Sequence, residues 1–177
     1  MGEFLPQTMV VKFKQDKYIL MIGGFMGFFS FGNICQDKSN ITFIHVLNHK
    51  YIHQGDKGEW PAYFTGNSKY NLVFDHSTQR IAGFLCRKAV VKRSGGENFN
   101  VFFTDQIKLR KPNETNPYAG IDGVLMDFRI AWGKMDMQLR AKKVVFGPVS
   151  ETDFTIPKGY QYISKTSLQK VLCLLTE

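Results

Sequence analysis

Apolar side chains at every second position limit the folds open to this chain more than any other feature. Between positions 124 and 132 the alternate residues are Val124, Met126, Phe128, Ile130 and Trp132. The same period continues over residues 135–141 and occurs again over residues 9–14. A period of two puts one set of side chains on one face of a β-strand, whereas an amphipathic helix needs a period of about 3.6. We therefore predict a chain that is mainly β.

Strand-forming runs elsewhere in the chain are bounded by turn residues. Further strands are predicted over residues 17–22, 41–47, 50–53, 70–74, 80–92 and 99–104. Turns are predicted at residues 15–16, 55–58, 75–78, 94–96 and 132–134, most of which contain Gly, Asp or Ser. These links are too short for the crossover helices that parallel strands need. The sheet is therefore predicted to be an antiparallel meander.

A single helix is predicted near the end of the chain. Ser164 can cap its first turn, and apolar residues then recur with helical spacing at Leu168, Val171, Leu172 and Leu175. A helix with one apolar face most simply packs against the sheet. The length of 177 residues suits a single domain over residues 1–177, because a chain of this size buries a core effectively.

The charge of the chain favours an anionic partner without identifying one. The net charge is +8, which also serves solubility. Basic clusters at residues 87–88, 92–93, 108–111 and 140–143 divide between the two faces of the predicted strands. Because they form no continuous stripe and accompany no recognised motif, no nucleic-acid partner is expected. Aromatic residues near these clusters keep nucleic-acid binding as a less favoured hypothesis.

Signatures of catalysis and of cofactor binding are missing from the sequence. It contains no G-x-S-x-G motif and no phosphate-binding glycine loop, so we expect neither an enzyme nor a cofactor. His45 and His53 would face each other across a hairpin with a three-residue loop, and would lie on opposite faces with a two-residue loop. No Cys or carboxylate completes a metal site there, so surface histidines are the favoured interpretation and no metal is expected.

Two further features leave alternatives open. Cys35 and Cys86 could form a disulfide, although buried unpaired thiols are favoured. Residues 23–32 hold four Phe and one Met among four Gly. This segment could line an apolar pocket or touch lipid. The favoured interpretation is a bent, buried strand in which Gly marks bulges.

Four peptides, in order along the chain, resemble those of one bacterial family. They are IAGFLCRKA at residues 81–89, FFTD at 102–105, PYAGIDGVL at 117–125 and FTIPKGY at 154–160. They are similar to peptides of the GLPGLI-type family of secreted or envelope proteins, with Asp122 in place of the proline of the naming peptide. The resemblance implies a curved antiparallel sheet, an open half-barrel similar to the LolA/LolB-like lipoprotein carriers. It also implies a periplasmic, outer-envelope or secreted protein whose signal sequence has been removed, and no established enzymatic activity.

These observations predict a non-enzymatic binding module of the cell envelope. A hydrophobic or lipid-like ligand would lie on the concave face of the sheet, against Met and Phe side chains that adapt to acyl chains. The candidate wall residues are Phe25, Met26, Phe28, Phe31, Met126, Phe128, Met135 and Met137. The alternative is a structural or protein-interaction component of an envelope assembly, in which an open strand edge pairs with a partner protein.

Overall fold

Antiparallel strands form most of the computed structural model, which describes residues 8–23, 29–64, 69–93, 96–132 and 135–176, with the backbone alone for Trp132 and Met135. The strands are β1 (Met9–Lys14), β2 (Lys17–Gly23), β3 (Phe29–Gln36), β4 (Ser39–Val46), β5 (His49–Lys57), β6 (Asn71–Ile81), β7 (Phe84–Lys92), β8 (Phe99–Thr104), β9 (Val124–Trp132), β10 (Met135–Arg140) and β11 (Gln161–Tyr162). A short 3-10 helix spans Glu151–Phe154, and helix α1 spans Lys165–Leu174. The predicted mainly β fold with a short C-terminal helix is confirmed.

The strands divide into two hydrogen-bonded sheets, and each is a meander apart from β11, which is added beside β5. The first sheet has the order β1-β2-β3-β4-β5-β11 and the second has the order β10-β9-β8-β7-β6. Neighbouring strands are antiparallel as predicted, except that β11 runs parallel to β5. Neither strand order returns to its start, so both sheets are open, as an open curved sheet requires.

The pairing between β6 and β7 corrects one predicted strand and one predicted turn. The strand predicted over residues 80–92 is divided by a tight turn, because Ile81 pairs with Phe84 across Ala82 and Gly83. Both loop residues have positive φ, 49° and 88°, as a two-residue hairpin loop requires. The turn predicted at residues 75–78 is instead a bulge within β6, where the register shifts between Asp75 and Thr78.

Strand β5 is longer than its sequence pattern indicates. The turn predicted over residues 55–58 is wrong for its first part, since β5 continues to Lys57 and only Gly58 has positive φ, 85°. Gly55 and Asp56 lie opposite the single residue Asn40, in a β-bulge where the register shifts between Ser39 and Ile41. A Cβ atom at Gly55 would lie 3.2 Å from the Asn40 carbonyl oxygen. Here glycine permits close packing and does not mark a turn.

The first sheet is buried on both faces. Its inner face packs against α1, the second sheet and the segment after β5, in one cluster that contains Leu20, Ile22, Phe31, Ile44, Tyr63, Phe64, Ile130, Leu168 and Leu172. Its outer face packs beneath residues 149–160, in a cluster that contains Ile19, Ile34, Ile41, Phe43, Ile52 and Phe154. The predicted packing of the helix against the sheet is therefore confirmed, on the inner face.

The long loop between β8 and β9 is fixed to the second sheet. Tyr118 and Ile121 are buried against Phe103 and its neighbours. The Asn113 amide donates to the carbonyl oxygens of Ile121 and Gly123, at 2.9 Å each. The Tyr118 hydroxyl donates to a β9 carbonyl, that of Arg129. This Pro-, Asn- and Gly-rich loop is therefore anchored through side chains and not through regular secondary structure.

Candidate ligand-binding site

The predicted wall residues that the structure describes lie in packed cores. Phe31 is completely buried, and Phe128 and Met137 pack against the same cluster on the inner face. Met126 is buried in another cluster, with Ile81, Cys86 and Val124. Phe25, Met26, Phe28 and the side chain of Met135 lie outside the described residues. The inner face is occupied because Leu168 and Leu172 of α1, together with Tyr63 and Phe64, fill the space above it.

An apolar groove of about 450 Å³ lies on the opposite, outer face of the first sheet. Val10, Ile19, Met21 and Phe43 project into it from β1, β2 and β4. Residues 152–160 cover it, with Pro157 and Tyr160 among the lining side chains. We call this cavity the outer groove.

The floor of the outer groove depends on the absence of a side chain at Gly32. A Cβ atom there would lie 2.3 Å from Cζ of Phe43 and 2.8 Å from Sδ of Met21. Only glycine therefore allows these two side chains to lie across β3. The Phe43 ring also meets the Tyr160 ring edge to face, with centroids 5.8 Å apart. Sheet and cover thus share one aromatic contact at the groove.

Polar side chains of the outer groove lie mainly on its cover. Six of the eleven lining residues are polar: Lys12, Ser30, Thr152, Asp153, Thr155 and Tyr160. The Lys12 ammonium is 2.8 Å from the Asp153 carboxylate, joining the exposed edge of β1 to the cover. Glu151, two residues earlier in the same 3-10 helix, pairs with Lys14 and Lys17 at 2.9 Å each. Hydrogen bonds from both lysines hold the pKa of Glu151 below its usual range. The cover is therefore attached to the sheet through exposed ion pairs, which are individually weak.

The chemistry available in the outer groove suits binding. The described lining residues include neither histidine nor cysteine. Burial raises the pKa of the Tyr160 hydroxyl, which hydrogen-bonds with Ser30. The neutral hydroxyls of these residues can hydrogen-bond a polar head group, while the apolar floor accepts a chain.

The hairpin that carries His45 and His53 has a two-residue loop, one of the two predicted alternatives. His49 pairs with Val46 across Leu47 and Asn48, so His45 lies opposite Lys50 and His53 lies opposite Thr42. Lys50 and His53 are three residues apart on β5 and therefore point to opposite faces of the sheet. His45 shares the face of its partner Lys50, so His45 and His53 do not meet. Within the described residues, no group of three or more His, Cys, Asp or Glu side chains is placed to hold a metal ion.

Cys35 and Cys86 form no disulfide, as the favoured interpretation predicted. Cys35, Cys86 and Cys173 are free thiols, and the first two are buried. Cys35 lies on β3 with its sulfur 3.7 Å from the Thr115 hydroxyl oxygen. Cys86 lies on β7, in the cluster around Met126.

Sequence reasoning missed the residues of the outer groove, although one signal was available. Residues 18–22 are apolar or aromatic at every position, Tyr-Ile-Leu-Met-Ile, and not only at alternate ones. An unbroken apolar run is typical of a strand buried on both faces. The second face implied by this run carries Ile19 and Met21, which line the groove.

Comparisons with known proteins identify no relative of this chain. Among the described residues, no helix has the length and apolar character needed to cross a bilayer. No family model, curated protein or solved structure matches this chain.

Proposed function

We propose that the chain is a non-enzymatic binding module for a hydrophobic or lipid-like ligand, and that the ligand lies in the outer groove. The observation that carries the proposal is the groove itself, about 450 Å³ of space above an apolar sheet face. Small-molecule sites commonly have about 300–1,000 Å³ and a mainly apolar lining with a few polar groups. The inner face, by contrast, is filled by the protein's own side chains.

The lining of the outer groove supports an acyl chain in particular. Met21 is flexible and polarizable, so its side chain can adapt to a ligand that has no fixed shape. Val10 is 54% exposed at the open side, which leaves apolar surface uncovered where a chain would enter. The Lys12 ammonium at the mouth can pair with an anionic head group in place of Asp153.

The proposed location is the cell envelope, as the family resemblance of residues 80–162 suggests. There the ligand would be a lipid or another hydrophobic molecule, and an envelope protein would be the natural partner. No cofactor takes part in the proposal.

Titration with cis-parinaric acid, a fluorescent fatty acid, tests the proposal on the full chain. Val10→Trp should fill the open side of the groove and weaken binding at least tenfold. Val73→Trp is the matched control, because Val73 is a similarly exposed valine, 48%, on an edge strand of the other sheet. Saturable binding that only Val10→Trp weakens supports the proposal. Absence of binding, or equal effects of the two variants, contradicts it.

The alternative of a protein-interaction component is favoured by one observation. Strand β6 lies at an edge of the second sheet, and its Val73 and Phe74 side chains are 48% and 56% exposed. An open edge with apolar side chains can accept a strand from a partner. Val73→Lys should abolish such pairing without changing ligand binding, and co-sedimentation with an isolated envelope fraction would measure it. Undiminished capture of envelope protein by the variant would remove this alternative.

A further inference from the structure

A second cavity, of about 270 Å³, opens at the end of the first sheet where the β1–β2 and β3–β4 turns lie. The loop between β8 and β9 closes its other side through residues 109–115. Tyr18, Cys35 and Thr115 line the cavity and are buried or partly buried. We call this cavity the turn-end pocket.

Positive charge dominates the turn-end pocket. Five basic side chains and three carboxylates line it; the basic ones are Lys17, Lys38, Lys57, Arg110 and Lys111. Lys38 pairs with Glu114 at 2.9 Å, and Lys17 pairs with Glu151 at 2.9 Å. Across the described part of the chain, the other three basic groups make no ion pair. The five basic groups therefore outnumber the three carboxylates, Asp16, Asp37 and Glu114, and the basic groups that make no ion pair among the described residues are Lys57 at the end of β5 and Arg110 with Lys111 on the loop.

The loop that carries Arg110 and Lys111 has an ordered backbone. The Asn113 side-chain amide donates to the carbonyl oxygens of Ile121 and Gly123, which fixes the loop. Thr115 contacts Cys35 of β3, and the Glu114 amide donates to the Lys111 carbonyl at 3.2 Å. A loop that is already ordered loses less conformational entropy when a ligand binds.

The floor of the pocket adds no negative charge. Burial raises the pKa of the Cys35 thiol, and the neighbouring carboxylates raise it further, so the sulfur stays protonated at neutral pH. Burial likewise raises the pKa of the Tyr18 hydroxyl. Phe13, Leu109 and Pro112 supply apolar contact beside these groups. The cavity thus combines a neutral floor, apolar sides and a rim on which five basic groups outnumber three carboxylates.

We propose that the turn-end pocket binds a small polyanion through phosphate or carboxylate oxygens. Arg110 offers paired N–H donors that match either group, and Lys57 and Lys111 add point charges around it. The outer groove contributes no residue to this pocket, so the inference does not depend on the proposed lipid-like ligand.

Isothermal titration calorimetry of the full chain with pyrophosphate, citrate and chloride tests the inference. The two polyanions distinguish phosphate from carboxylate recognition, and chloride reports general screening at matched ionic strength. We expect saturable binding of one polyanion or both at low salt, weakening as salt is added, because the rim is exposed. Binding of neither polyanion would overturn the inference.

Charge variants locate the site. Arg110→Gln and Lys57→Gln should each weaken polyanion binding about tenfold, the scale of one charge-assisted hydrogen bond. Lys108→Gln is the matched control, since it removes the same charge from the same loop but lies outside the lining. Glu114→Gln should strengthen binding, because it removes a carboxylate and releases Lys38. Equal weakening by Lys108→Gln and Arg110→Gln would overturn the inference in favour of general surface attraction.

Discussion

At the scale of single residues, a buried polar cluster on the inner face determines how β3 and β4 meet the segment after β5. The Asn40 side-chain oxygen accepts from Asn33 at 2.9 Å and from the Tyr18 hydroxyl at 3.2 Å. The Asn40 side-chain amide donates to the Glu59 carbonyl at 2.9 Å. Thr42 donates to Asn33 at 2.8 Å. These buried polar groups are tolerated because they form hydrogen bonds with one another.

Asn40→Ala should be strongly destabilising. It removes the acceptor of the Asn33 amide and of the Tyr18 hydroxyl, and it removes the donor to the Glu59 carbonyl. A buried polar group that loses its partner costs about 1–3 kcal/mol. We expect a total loss of about 2–4 kcal/mol in the free energy of unfolding, measured by urea denaturation. Asn100→Ala, at an exposed position of β8, is the control and should change little. A loss below that of the control variant would contradict the role of the cluster.

Thiol reactivity offers a second test at this scale. Burial raises the pKa of both Cys35 and Cys86, which lowers the fraction of reactive thiolate. Cys173 lies half-buried on α1. Under native conditions iodoacetamide should therefore label Cys173 first, and peptide mass mapping should show slow labelling of the other two. In denaturant all three should react alike. Early labelling of Cys35 in the native protein would contradict the structure.

At the scale of elements, helix α1 is held by its apolar face and by its first turn. Leu168 and Leu172 are buried in the inner-face cluster. The Ser164 hydroxyl accepts from the Ser167 amide at 3.1 Å, which caps the helix. Lys165 lies 3.1 Å from the Glu59 carboxylate and so joins α1 to the segment after β5. Packing and capping together set both the position and the start of the helix.

The Glu59 contact predicts a pH dependence of stability. Burial alone would raise the pKa of Glu59, but the Asp56 amide and the Lys165 ammonium outweigh it, so the pKa is lowered from 4.5. A lowered pKa stabilises the folded state above the unfolded pKa, and the contribution is lost as the pH falls through the folded value. Glu59→Gln should therefore cost about 0.5–1 kcal/mol near neutral pH, and less in acid.

Urea denaturation of the wild type and of Glu59→Gln at about pH 7 and about pH 3 measures this effect. Glu97→Gln is the control, because Glu97 is exposed and makes no ion pair among the described residues. A difference between wild type and Glu59→Gln that is as large in acid as at neutral pH would contradict the prediction.

At the scale of the whole molecule, one apolar cluster joins all three layers. Phe31 belongs to the first sheet, Ile130 to the second sheet and Leu168 to α1, and all three lie in the same cluster. Disrupting any one layer exposes the faces of the others. Unfolding is therefore predicted to be cooperative.

Ile130→Ala tests this cooperativity. Removing a side chain that is 1% exposed should cost about 2–5 kcal/mol, the range for large-to-small changes in a core. Circular dichroism of the sheets and tryptophan fluorescence should shift together to lower urea concentration. Val145→Ala, at a position 73% exposed, is the control. Separate transitions for the two probes would contradict a shared core.

Local patterns were sufficient to predict several elements with their observed bounds. The alternation over residues 9–14, 99–104 and 124–132 coincides with β1, β8 and β9. Ser164 and the apolar spacing after it coincide with α1. The Ala82-Gly83 turn escaped prediction because no polar residue interrupts the sequence Ile-Ala-Gly-Phe-Leu-Cys over residues 81–86. The choice between bulge and turn at residues 75–78 depends on the partner strand, which a single segment does not specify.

By itself, the sequence determined that the chain is mainly β, antiparallel within each meander and ended by a capped helix, because these properties depend on neighbours along the chain. The tertiary structure alone decided that there are two sheets, that the inner face is filled and that the outer groove and the turn-end pocket exist. Both cavities are enclosed by segments far apart in sequence, such as Tyr160 over Phe43. Their shapes follow from which apolar faces meet, and no local periodicity encodes that choice.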